Sequence, residues 1–121
     1  MITLTEKAIA AEFIGKPITA DPIPEWVWDK WDHYAVYFSD HLADDKSLRA
    51  QFGITEKLKD LWHRRGTDFS LYFTIKDGII ASCRISKNNP GDGARPSGGG
   101  PLKTTPQELR LVIRILKELT K

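Results

Sequence analysis

The sequence predicts an α+β domain, and three observations carry that expectation. The stretch DFSLYFTIKDGIIASCRISK alternates apolar and polar residues around a glycine turn, which is the pattern of an antiparallel hairpin over about residues 68–86. Segments of helical periodicity flank it on both sides, and the last one opens with Thr-Pro-Gln-Glu, a capping box. A chain of 121 residues suits one domain, residues 1–121, with a single modest core.

A first helix is expected from about Thr5 to Ile14, stopped by Gly15 and Pro17. Met1 to Leu4 is a candidate for an extra strand. ITADPIPEW reads as an extended connector, because each proline turns the residue before it away from helical geometry. Pro24 suits a first helical turn, and a second helix is expected from Glu25 to about Leu42. At 100° per residue its core face is Val27, Trp31, Tyr34, Ala35, Phe38 and Leu42. Glu25, Asp29, Asp32 and Asp40 form an acidic stripe, and Trp26, Lys30, His33 and Tyr37 a third line away from the core.

Further helices are expected around Ser47 to Phe52, ending at Gly53, and from Thr55 to Arg65, ending at Gly66. Leu58, Leu61 and Trp62 would be the buried stripe of the latter. In the hairpin, Phe69, Leu71, Phe73 and Ile75 share one face, and Ile79, Ala81, Cys83 and Ile85 share one face. A three-residue loop, Lys76-Asp77-Gly78, pairs Ile75 with Ile79 and joins these sets on one side. The other side then carries Ser70, Tyr72, Thr74, Ile80, Ser82 and Arg84. A glycine-rich loop, residues 88–104, leads to a C-terminal amphipathic helix with Thr105 as N-cap, Pro106 at N1 and Glu108 at N3. Its core stripe is Leu109, Val112, Ile113, Leu116 and Leu119, and its basic stripe is Arg110, Arg114, Lys117 and Lys121.

Charge is unevenly distributed. Residues 1–56 carry five Lys/Arg against ten Asp/Glu, a net −5, and residues 57–121 carry thirteen against six, a net +7. The glycine loop fits no nucleotide motif. Gly99 stands where the GxxxxGK[ST] pattern needs lysine, and Gly91-Asp92-Gly93 is followed by Ala94-Arg95-Pro96 rather than a spaced glycine. It reads as a mobile connector bearing Arg95 and Lys103. No three-way constellation of His, Cys or acidic residues is legible. His33 and His41, eight positions apart on a helix, would point about 80° apart. Cys83, the single cysteine, falls on the expected core face. No metal and no cofactor is expected, and no apolar run approaches a membrane span. The start lacks the pattern of a secretory leader, and the lone cysteine points to the cytoplasm.

The function these features predict is that of a small, non-enzymatic accessory or regulatory protein that binds a macromolecule. Nucleic acid or a nucleoprotein would meet the basic half through Arg84, Lys87, Arg95, Lys103, Arg110, Arg114 and Lys117. The alternative is an inhibitor, immunity or adaptor protein that meets a protein partner through Trp26, His33, Tyr37 and Tyr72. An enzyme acting on a phosphorylated small molecule ranks third.

Overall fold

The structure is a computed structural model that describes residues 2–38, 50–54, 67–89, 100–101 and 103–121. Its elements in chain order are α1 (Glu6–Phe13), β1 (Trp28–Asp29), β2 (Tyr34–Tyr37), β3 (Asp68–Lys76), β4 (Ile79–Asn89), β5 (Gly100–Pro101) and α2 (Pro106–Thr120). The strands form one five-stranded antiparallel sheet in sequence order, with the two-residue strands β1 and β5 at its edges. An α+β architecture is therefore present, with more sheet than one hairpin.

Both helices start as the sequence predicts. The Thr5 hydroxyl caps α1 by accepting from the Ala8 N–H at 3.1 Å. Gly15, at φ 95°, turns the chain out of the helix. At α2, the Glu108 N–H donates to the Thr105 hydroxyl at 3.2 Å, and the Glu108 carboxylate accepts from the Thr105 N–H at 2.8 Å. That reciprocal pair is the capping box.

The core lies between the helices and one face of the sheet. Ile9 and Phe13 of α1 and Leu109, Val112, Ile115, Leu116 and Leu119 of α2 join Val36, Phe69, Leu71, Phe73, Ile80 and Ile85 in one cluster. In α2, Leu111 and Ile115 are buried while Ile113 is only partly so, a stripe slightly rotated from the expected one. Residues 15–18 run beside the turn end of β4: the Gly15 and Ile18 N–H groups donate to the carbonyls of Ile80 and Gly78. This covers strand edge that would otherwise stay unpaired.

Several expectations are corrected. Residues 25–38 form no helix. They contain β1 and β2, joined by a tight turn at Trp31-Asp32 with the Lys30 N–H bonded to the His33 carbonyl at 2.8 Å. The helical stripe drawn through this segment fails because aromatic residues stand at so many of its positions that several periods fit. Trp, Tyr, Val and Phe favour a pleated, half-buried surface. Ile2 to Leu4 form no strand.

The β3–β4 turn has two residues, Asp77-Gly78, both with positive φ (55° and 76°), and it pairs Lys76 with Ile79. This is the left-handed turn whose twist matches that of the flanking strands. The phase problem is solved by a bulge instead: Ile75 pairs with Ile80 but Thr74 pairs with Ser82, so Ala81 is the extra residue. Ile80 is consequently buried and Ile79 exposed, the reverse of the expected faces. Beyond the bulge Cys83 and Ile85 lie on the expected face, but they stand opposite Phe73 and Leu71 rather than opposite Leu71 and Phe69 as an Ile75–Ile79 pairing requires.

The glycine loop is shorter than residues 88–104, since Asn88 and Asn89 pair with Pro101 and Gly100. The remainder of that loop up to Gly99, with Arg95, lies outside the described residues, as does the expected helix Thr55 to Arg65. Residues 50–52 are helical and precede Gly53 at φ 67°. Among the described residues, no helix is long and apolar enough to cross a membrane.

Candidate functional site

Strand alternation puts a second set of side chains on the sheet face turned away from α1 and α2. One row crosses four strands: Trp28 stands opposite Ala35, Ala35 opposite Tyr72, and Tyr72 opposite Arg84. Tyr37, Ser70 and Ser86 form the row on one side of it. Thr74 and Ser82 lie on the other side, next to His33.

Ala35 is fully buried at the centre of this face. Its small side chain leaves room for the flanking rings to meet edge to face. Trp28 and Tyr37 have centroids 6.3 Å apart at 73°, and Tyr37 and Tyr72 are 6.1 Å apart at 83°. His33 meets Tyr72 at 5.5 Å and 66°. Such pairs match the positive edge of one ring with the negative face of another. Cations lie over ring faces as well. The Lys30 ammonium sits 5.1 Å from the Trp28 ring and 5.5 Å from the Tyr37 ring. The Arg84 guanidinium sits 4.8 Å from the Tyr72 ring.

Acidic groups edge this array. His33 Nδ1 and Asp32 Oδ1 are 2.6 Å apart, and this bond holds the Asp32 carboxyl below its ordinary value. The Ser70 hydroxyl donates to Asp68 Oδ1 at 3.0 Å. Burial, and secondarily the Asp68 charge, pushes the Tyr37 phenol above its usual value. A cavity of about 320 Å³ opens between His33, Tyr72, Thr74, Ser82 and Arg84, floored by the Phe73–Cys83 pair. Burial pushes the Cys83 thiol up to about 11, so it stays protonated near neutrality. Among the described residues no three His, Cys, Asp or Glu side chains converge on a point that would hold a metal ion.

The residues singled out from the sequence are divided among three places. His33, Tyr37, Tyr72 and Arg84 do come together on the outward sheet face. Trp26 does not: it is buried, edge-on to Phe52 at 5.4 Å. Lys87 is tied to Glu108 at 2.8 Å. Arg110, Arg114 and Lys117 are exposed on α2, which packs against the opposite face of the sheet. Of these, Arg114 donates to the Phe52 carbonyl at 3.0 Å. Lys103 is exposed just before α2.

Trp28 and Trp31 escape the sequence reading because a helix over 25–42 gives Trp28 to no stripe and Trp31 to the core face, while Lys30 stands on the Trp26–Tyr37 line without being a site residue. The alternation around Trp28 and the turn-forming Asp32 are the signals that would have found them. The chain matches no protein-family model, no curated protein and no solved structure.

Proposed function

We propose that this chain is a small, non-enzymatic binding protein whose outward sheet face receives a protein partner. The observation that carries the reading is the Trp28–Tyr37–Tyr72 array with Lys30 and Arg84 over its rings. Trp, Tyr and Arg dominate the residues whose truncation costs most at protein interfaces, because they bury large area with little loss of conformational freedom. Trp31 adds a fully exposed indole at the adjacent hairpin tip. A stacking platform for nucleic-acid bases needs open ring faces. Here rings meet at steep angles and cations lie over their faces, and Asp32 and Asp68 offset the positive charge nearby.

The test is capture from the native cell with Trp28→Ala, Trp31→Ala and Tyr37→Ala variants whose folding is checked by circular dichroism. The reading expects capture of a discrete protein to be lost while the fold persists. Undiminished capture by all three variants would sink it.

A second reading has its own support on the other side of the molecule. Arg110 and Lys117, with Lys121, are exposed along one line of α2, and Lys103 stands near its start. A polyanion such as nucleic acid would engage this stripe electrostatically, with affinity falling steeply as salt rises. Charge reversal at Arg110 and Lys117 is the test, read as retention on heparin and single-stranded DNA. Unchanged retention removes the reading.

A further inference from the structure

Arg84 is a cation that pairs with no carboxylate among the described residues. Its guanidinium lies over the Tyr72 ring. Of the acids that edge the array, Asp32 bonds His33 at 2.6 Å, and Asp68, four residues along β3 from Tyr72, accepts from the Ser70 hydroxyl at 3.0 Å. A guanidinium held over a ring face by its charge still carries N–H donors in a fork that matches a carboxylate. Beside it, the Thr74 and Ser82 hydroxyl oxygens are 2.7 Å apart. Their mutual bond uses one hydroxyl proton, and the other remains to donate. All three side chains line the 320 Å³ cavity, whose size suits a single side chain.

We infer that this cavity is a carboxylate site, which receives an aspartate or glutamate side chain from an acidic segment of the protein partner. The two carboxylate oxygens meet the Arg84 fork, and one of them also accepts from the Thr74–Ser82 hydroxyl pair. Lys30, a second cation over aromatic faces and unpaired with any described carboxylate, adds attraction for the same segment. The inference rests on the protein-partner reading of this face and names the chemistry of that partner.

The experiment titrates the full chain with a short glutamate-serine peptide, its glutamine-serine counterpart, inorganic phosphate and oligothymidylate, read by NMR. The glutamate peptide is expected to shift the Arg84 side-chain signal and the Thr74 and Ser82 amides. The glutamine peptide should bind at least tenfold more weakly. Arg84→Ala should abolish the difference, and Arg84→Lys should restore little of it, since an ammonium lacks the fork. Equal binding of the two peptides, no binding of the glutamate peptide, or tighter binding of phosphate or oligothymidylate at Arg84 overturns the inference. If Trp28→Ala weakens partner capture and Arg84→Ala does not, the carboxylate site falls and the docking face stands. If neither variant affects capture, both fall.

Discussion

Lys87 of β4 and Glu108 of α2 form an ion pair at the rim of the core, Nζ to Oε1 2.8 Å, with side chains 12% and 3% exposed. Glu108 also accepts the Thr105 N–H, so one carboxylate closes the helix cap and pins the sheet to it. Removing either partner strands a desolvated charge, at a cost of about 3–5 kcal/mol. Lys87→Ala and Glu108→Ala should each lower the urea midpoint sharply, whereas Lys87→Met with Glu108→Leu should recover much of the loss. A loss in the double variant equal to the sum of the two single losses would show that the pair is not coupled.

Trp26 and Trp31 should separate by stability rather than by binding alone. Trp26 is 3% exposed within the core, and Trp26→Ala is expected to cost about 3–5 kcal/mol. Trp31 is 103% exposed at the hairpin tip, so Trp31→Ala should stay within about 0.5 kcal/mol of the parent. Thermal unfolding of the two variants checks both values, and comparable losses would place Trp31 in the fold.

Gly78→Ala should destabilise by about 1–2 kcal/mol, because an alanine at φ 76° carries the left-handed backbone penalty. Nothing lies within 4 Å of where the new Cβ would stand, so backbone conformation accounts for the whole cost. Asp77→Asn keeps a residue that tolerates φ 55° and should be nearly neutral. Chemical denaturation of both variants checks this, and a comparable loss for Asp77→Asn or none for Gly78→Ala would contradict the left-handed turn.

Alkaline pH should weaken the fold. The Cys83 thiol titrates near 9 in the unfolded chain and about 11 in the folded one. Between those values the unfolded state binds fewer protons, so stability is complete below pH 9 and declines toward pH 11. The raised Tyr37 phenol acts in the same direction. Urea titrations across this range should show a shallower decline for Cys83→Ala than for the parent. Identical slopes would remove Cys83 as the cause.

How much was legible depended on whether the signals were local. The Thr105–Glu108 box was readable because a helix start satisfies its free N–H groups within three residues. Trp26 to Phe38 was misread because a helical stripe and a strand alternation can both be drawn through a segment so rich in aromatics. Propensity there is weaker than pairing: the two-residue β1 lies close by in the chain, but β2 gains its longer partner, β3, only more than thirty residues later. The hairpin illustrates both cases. Its strands and its glycine turn follow from alternation, but the choice between a longer loop and a bulge at Ala81 is made by packing, since either restores Cys83 and Ile85 to the core face.

By itself the sequence determined the α+β class, α1, α2 with its capping box, and the strands that meet at Asp77-Gly78. Only the tertiary structure decided which aromatics share a face. It buried Trp26, tied Lys87 to Glu108, and set Trp28, Tyr37, Tyr72 and Arg84 side by side across β1 to β4. Caps and turns are settled by hydrogen bonds between neighbours in the chain. A sheet face is assembled from strands whose register is fixed by non-local pairing and by the burial of the opposite face.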